Sequence, residues 1–169
     1  MNEMNGGIRV GGRPGPPNRL WAALFQASHA IQRARDQELA GIGISVIQSA
    51  VLWVVKGVDP PATPAKISKW LMRKPNSISG LLDRMEKQDL IRRLKDKRRN
   101  RTIVELTEKG NRIRKESVTD MKVLHDIASV LSEEELERTT EALVALRAKA
   151  IQILAAQQEA DFNLPPGLR

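Results

Sequence analysis

The stretch that decides the fold runs from Leu81 to Gly110: LLDRMEKQDLIRRLKDKRRNRTIVELTEKG. It opens inside a helical pattern. Ile78, Leu81, Leu82 and Met85 recur at steps of three, one and three, so they share one face. Asn76, Ser77, Ser79, Gly80, Asp83 and Arg84 fall on the other faces. The period then changes. Leu90–Leu94 and Thr102–Leu106 read as two short extended segments, the second rich in threonine, isoleucine and valine. Between them lies KDKRRNR, residues 95–101, with five cations in seven positions. Two extended runs around such a turn make a β-hairpin. Thr107 then supplies a capping hydroxyl for a further helix.

Upstream, VDPPATPAK (58–66) forces a loop. Thr63 followed by Pro64 is a helix start, a cap and then proline at the first helical position. That helix spans about 64–72, with Ile67, Trp70 and Leu71 at inward spacing. Pro75 ends it and opens the next helix, about 75–88. Two short helices joined by about three residues have helix-turn-helix spacing. Two helices precede them. Residues 19–40 carry Leu20, Leu24, Ala27, Ile31 and Ala34, and 44–57 carry Ile47, Val51, Val54 and Val58, with Gly41 and Gly43 between. Two helices follow the hairpin. One spans about 108–130, with Ile113, Val118 (or Ser117), Met121, Leu124 and Ala128 as its seam. SEEE (132–135) is a capping box that opens the other, which runs to about 157. Its Leu136, Leu143, Ala150 and Gln157 keep a seven-residue beat, interleaved with Leu146 and Ile153.

The order is four helices, a hairpin and two helices. The expected fold class is mainly α with a small β-hairpin: a winged helix-turn-helix over 42–106, and a helical region made of 19–41 and 107–160. Residues 1–18 are rich in glycine and proline and read as a flexible tail. Arg9 and Arg13 in it have two readings, contact with a polyanion or an untethered terminus, of which the second is favoured.

The net charge is +8, and its distribution is uneven. Residues 1–65 carry +2, residues 66–101 carry +9, and residues 102–169 carry −3. An excess confined to one window suggests a defined anionic partner, with nucleic acid the first candidate. Cysteine is absent, which removes disulfides, thiolate metal sites and thiol chemistry. His29 and His125 stand far apart without metal-ligand spacing, so no metal and no cofactor are expected. No apolar run approaches the roughly 18 residues of a membrane span. The expected location is cytoplasmic. No nucleophile–base pair or phosphate loop supports an enzyme.

The segments LLDRMEKQDLIRR (81–93) and VELTEKG (104–110) resemble the signature region of the MarR family of transcription regulators. TPAKISKWLMRKPNSIS (63–79) resembles the family's two-helix reader, and LSEEELE (131–137) the start of its last helix. The resemblance covers about residues 19–157. It implies a homodimer interlocked through the first and last helices, gripping a palindromic operator in double-stranded DNA. It implies a reading helix near Lys74 in the major groove and a hairpin tip in the minor groove. It also implies a small-molecule effector as a candidate partner.

The family's hairpin carries an acid that steers an arginine. Counting back from Leu106, Asp96 stands one or two residues early for that role. Either the hairpin is longer or the steering acid is missing, and the tip arginine is open among Arg98, Arg99 and Arg101. Candidate DNA contacts are therefore Lys74, Asn76, Ser77, Ser79, Arg84, Arg98, Arg99 and Arg101. Asparagine can pair with adenine, and serine bonds bases or phosphates. Arg84 has two readings, a phosphate contact or an ion pair with Asp83 or Glu86. Lys66 and Lys69 are either phosphate contacts or solvated. Candidate dimer contacts are Leu20, Leu24, Ile31, Leu143, Leu146 and Ile153. Trp21, Trp53, Trp70, His29 and His125 are expected in the core or in dimer packing, with Trp53 or His29 as alternative ligand contacts. The leading function is a sequence-specific regulator, most often a repressor in the family. The alternative is a non-specific architectural DNA-binding protein, and a dimeric scaffold without DNA binding is a further reading.

Overall fold

The structure is a computed structural model of the chain, and it describes residues 15–119 and 121–162, with side chains described as far as residue 156. The elements are α1 (Pro16–Ala40), α2 (Val46–Gly57), α3 (Pro64–Trp70), α4 (Pro75–Lys87), β1 (Ile91–Asp96), β2 (Arg101–Leu106), α5 (Glu108–Thr119), α6 (Lys122–Ala128) and α7 (Glu133–Phe162). The expected fold class holds: a mainly helical chain with one two-stranded antiparallel hairpin. The chain divides into two compact units after Leu124.

The first unit has one core. Leu39, Ile44, Val51, Leu52, Val54, Ile67, Ile78, Leu81, Leu82, Met85, Leu90, Ile91 and Val104 are buried together. α2 and α4 enter it by faces that their spacing assigned inward, whereas α1 enters through Leu39 and α3 through Ile67, with Leu20 and Trp70 of their expected faces exposed. The N-termini are capped locally. Ser45 and Gln48 form a capping box at α2, whose Val46 N–H also donates to the Asp36 carboxylate of α1 at 2.7 Å. Thr63 Oγ1 accepts from Lys66 N–H at 3.3 Å, ahead of Pro64. The loop before α3 joins the hairpin through Val104 N–H, which donates to the Ala62 carbonyl at 2.9 Å.

Four expectations need correction. α1 starts at Pro16 and not at residue 19, so Pro16–Asn18 belong to a helix and not to the tail. Prolines fit a first helical turn, where the missing N–H would have had no partner. Residues 1–14, with Arg9 and Arg13, lie outside the described residues, as do 163–169. Second, α7 continues to Phe162, beyond the expected end near 157.

Third, the helix expected over 108–130 is two helices, α5 and α6. A pair on α1 satisfies both broken ends. Arg35 is buried, is ion-paired to Glu38, and donates to the Ser117 carbonyl near the end of α5. Glu38 Oε1 accepts from Val123 N–H at 3.1 Å, in the first turn of α6. Carbonyls at a helix end and N–H groups at a helix start need outside partners, and one ion pair supplies both. Burial pushes the Glu38 carboxyl up, but the Val123 N–H and Arg35 outweigh it and hold it below its ordinary value. Ser117, not Val118, takes the inward position on α5.

Fourth, of the two places expected for the tryptophans and histidines, core or dimer packing, the core of this chain is excluded. Trp21 is 68% exposed, Trp53 51% and Trp70 50%, and both histidines are exposed. Trp53 and Trp70 lie against each other with ring centroids 5.4 Å apart, and Phe25 stacks edge-on with His29 at 4.5 Å. In place of Trp70, Ser68 turns inward, and its hydroxyl donates to the Arg73 carbonyl at 2.6 Å.

The second unit contains α7. Ser132 and Glu135 form the expected capping box: Ser132 N–H donates to Glu135 at 2.9 Å and Glu135 N–H to Ser132 Oγ at 3.3 Å. No described residue of α7 is buried.

Candidate nucleic-acid interface

The helix-turn-helix is α3, the connection Leu71–Lys74, and α4. The connection turns on Met72, which adopts φ 51°. Met72 N–H donates to the Lys69 carbonyl and Arg73 N–H to the Ser68 carbonyl, which closes α3 with a left-handed cap. Glycine is the usual residue there. α4 then starts at Pro75. Its cap residue, Lys74, gives no side-chain hydrogen bond, in keeping with the absence of a capping hydroxyl.

On α4, Ile78, Leu81, Leu82 and Met85 are buried. Asn76, Ser77, Ser79 and Arg84 are exposed, and Lys74 is exposed at the helix start. α4 closes with the same left-handed device as α3. Asp89 has φ 57°, and Leu90 N–H donates to the Met85 carbonyl at 2.9 Å. This sharp stop turns the chain into β1.

The hairpin pairs Ile91 with Leu106 and continues to Asp96 opposite Arg101. The strands are longer than expected, and the turn is shorter: residues 97–100, with Asn100 at φ 43°. This register resolves the steering acid. Asp96 is present and faces Arg101 directly, with Arg101 Nε 3.0 Å from Asp96 Oδ2. The Arg101 hydrogen bond holds the Asp96 carboxyl below its ordinary value, with burial opposing and the Arg99 and Arg98 N–H groups assisting. One carboxylate therefore shapes the whole tip. It ties Arg101 to the strand end and leaves the Arg98 and Arg99 side chains exposed.

The root of the hairpin is fixed from both sides. Glu86 of α4 accepts from Arg93 N–H at 2.8 Å and from its guanidinium at 2.6 and 2.9 Å. Arg93 also reaches Asp83 at 2.7 Å. Arg92 pairs with Glu105 across the strands at 2.7 Å. On the other side, Thr107 Oγ1 donates to the Asp89 carbonyl at 2.6 Å and accepts from Gly110 N–H at 2.9 Å. Lys109 Nζ donates to the Gln88 carbonyl at 2.8 Å. A Cβ on Gly110 would lie 1.9 Å from the Leu90 carbonyl oxygen, so only glycine fits there.

These contacts decide the charge. Residues 66–101 hold four carboxylates, and Arg93 and Arg101 engage three of them. Lys69, Arg73, Lys74, Arg84, Lys87, Lys95, Lys97, Arg98 and Arg99 form no ion pair with the described residues. Lys66 donates to the Asp59 carbonyl at 2.6 Å. Arg84 forms no ion pair with the described residues, and the two carboxylates named for it, Asp83 and Glu86, each bind Arg93. Sequence reasoning missed Arg93 and Glu86 as the brace of the hairpin. Their spacing of seven across a helix end gives no periodic signal.

A family model described as a winged helix DNA-binding domain matches residues 45–110, from the cap of α2 through Gly110. MepR of Staphylococcus aureus, solved with DNA, is 26% identical, with a TM-score of 0.68 over 77% of this chain and 96% of its own. MarR from E. coli, solved with operator DNA, is 20% identical, with a TM-score of 0.68 over 78% and 93%. The chain shares the fold of these regulators. Residues 45–110 form a winged helix DNA-binding domain. The organohalide-sensing regulator RdhR, solved with 2,4-dichlorophenol, is similar in fold, with 22% identity and a TM-score of 0.78 over 90% of this chain and 92% of its own. No curated protein sequence matches the chain. Among its described residues no acid–histidine cluster could hold a metal, and no helix is long and apolar enough to cross a membrane.

Proposed function

We propose that the chain is a sequence-specific regulator, most simply a repressor, that binds a palindromic operator as a homodimer. The observation that carries this reading is the pairing pattern of residues 66–101: Arg93 and Arg101 engage three of the four acids, and unpaired cations flank α4 and the hairpin tip. Duplex DNA rewards such cations by releasing counterions from its phosphates. Lys74 and Arg98 or Arg99 supply the positioning contacts, and Asn76, Ser77 and Ser79 face base edges. A hairpin-tip arginine suits the narrow minor groove, where negative potential concentrates. Arg101, tied to Asp96, braces the tip.

The homodimer rests on unpartnered apolar surface. On α1, Leu20 is 45% exposed and Leu24 and Ile31 are half-buried. On α7, Leu143, Leu146 and Ile153 are 43, 42 and 49% exposed. Long helices with apolar residues left in water call for a partner helix. In this reading 42–106 is the reader and 19–41 with 107–160 the dimerisation region. RdhR's 2,4-dichlorophenol suggests a small aromatic effector here, with Trp53 as a candidate contact.

The test is a ratio. At matched salt, a regulator prefers its selected duplex over random duplex by at least about a thousandfold. A ratio near one makes the chain an architectural DNA-binding protein and sinks this reading. Sedimentation of the same sample gives the subunit number, and a monomer at micromolar concentration counts against the dimer.

A further inference from the structure

Arg84 is an exposed cation in the last turn of α4, and two features define its surroundings. The first is that its neighbouring carboxylates are occupied. Asp83 and Glu86 both bind Arg93, at 2.7 and 2.6 Å. Arg84 itself forms no ion pair with the described residues. The second is Gly80, one turn earlier on the same face. The nearest atom to a Cβ placed on Gly80 is Nη1 of Arg84, 4.0 Å away. Helical side chains lean toward the N-terminus of their helix. The Arg84 guanidinium therefore reaches back along α4 and borders the space that a side chain at position 80 would fill.

A glycine in a helix interior costs about 1 kcal/mol relative to alanine. Here nothing in the fold requires it: its φ is helical, and no backbone comes within 4 Å of the missing Cβ. This differs from Gly110, where the fold itself demands glycine. An unneeded glycine beneath an unpaired arginine has a simple use, which is to let the guanidinium reach inward along the helix surface.

We propose that Arg84 reads a guanine in the major groove through the gap left by Gly80. It rests on the reading of α4 as the groove helix. Guanine offers O6 and N7 side by side, and the planar guanidinium fork matches both. A phosphate contact would need only charge and no gap. The Arg93 brace contributes by keeping Asp83 and Glu86 from capturing the fork. Arg84 would then carry specificity that Ser77 and Ser79 cannot supply.

The test uses the full chain and a duplex selected by the unmodified protein, with each base pair of the site replaced in turn at fixed salt. R84A is expected to lose about 5- to 150-fold on the selected duplex. On the duplex lacking one particular guanine, R84A and the unmodified chain should agree within about twofold. R84K keeps the charge and should lose the same preference. G80A should keep the guanine preference, since its methyl meets Arg84 at ordinary contact distance, and should melt about 2–4 °C higher. G80Q, which fills the gap, should lose the preference. Three results would overturn the proposal: R84A weakening every duplex equally, R84K binding as the unmodified chain does, or G80Q retaining the guanine preference. An unmodified chain without any sequence preference would overturn the regulator reading and this inference together. The selection step shows that outcome before any variant is made.

Discussion

Gly110→Ala should unfold this protein more readily, against the usual effect of alanine in a helix. In an open helical position the substitution gains about 1 kcal/mol. At Gly110 the new Cβ would meet the Leu90 carbonyl oxygen at 1.9 Å, its carbon at 2.9 Å and its Cα at 3.4 Å. Ordinary contact requires the start of α5 and the Leu90 backbone to part by more than about 1 Å. The hydrogen bonds between the same two segments cannot follow. They are Thr107 N–H to Leu90 O at 3.2 Å, Thr107 Oγ1 to Asp89 O at 2.6 Å and Lys109 Nζ to Gln88 O at 2.8 Å. Losing two or three at about 1 kcal/mol each, with the strain of overpacking, outweighs the helix gain and leaves about 2–4 kcal/mol of destabilisation. With a urea slope of about 1–3 kcal/mol/M, the midpoint should fall by about 1–2 M at fixed protein concentration. A midpoint that holds or rises refutes the reasoning. DNA affinity, measured where the variant is still folded, should fall too, because Leu90 is the root of the hairpin.

Met72→Gly should stabilise the fold by about 0.5–1 kcal/mol, because φ 51° strains methionine and not glycine; a lower urea midpoint would contradict this. The Glu86–Arg93 brace should be pH-dependent. The Arg93 side-chain and N–H hydrogen bonds hold Glu86 below 4.5 against the opposing effect of burial, so its contribution is complete above that value and is lost as pH falls through the folded pKa. The stability gap between the unmodified chain and Glu86→Gln should therefore close in acid, and a gap that persists well below pH 4.5 contradicts the assignment. Replacing Arg98 and Arg99 together with alanine should weaken all duplexes and lower the slope of log affinity against log salt by up to about 2. An unchanged slope would remove the tip from the interface.

What the chain disclosed before its structure follows a physical division. Periodicity reports which residues share a face, and so Ile78, Leu81, Leu82 and Met85 were legible as the inner face of α4. Caps are local, and so Thr63, Ser132 and Thr107 were legible at their helix starts. Periodicity does not report what covers a face. Trp53 and Trp70 sit at helical spacing yet lie half in water, against each other. Likewise the seam over 108–130 could not show its interruption, because the groups that end α5 and start α6 are Arg35 and Glu38, some eighty residues earlier. The unpaired surface of α1 and α7 was legible only as apolar repeats.

The hairpin tip shows why counting along a strand misleads. Measured from Leu106, Asp96 is misplaced, since a count of residues assumes a fixed turn. Across the ladder the relevant quantity is register, and register is set by turn geometry. With residues 97–100 as the turn, Asp96 and Arg101 become direct partners, and the acid accepts from Arg98 and Arg99 N–H as well. The same carboxylate therefore fixes the tip and removes Arg101 from the pool of free cations. It follows that Asp96→Asn and Arg101→Ala should act alike, loosening the tip and lowering operator affinity without a loss of base preference. Arg98→Ala should differ from both, because it removes a contact and leaves the shape intact.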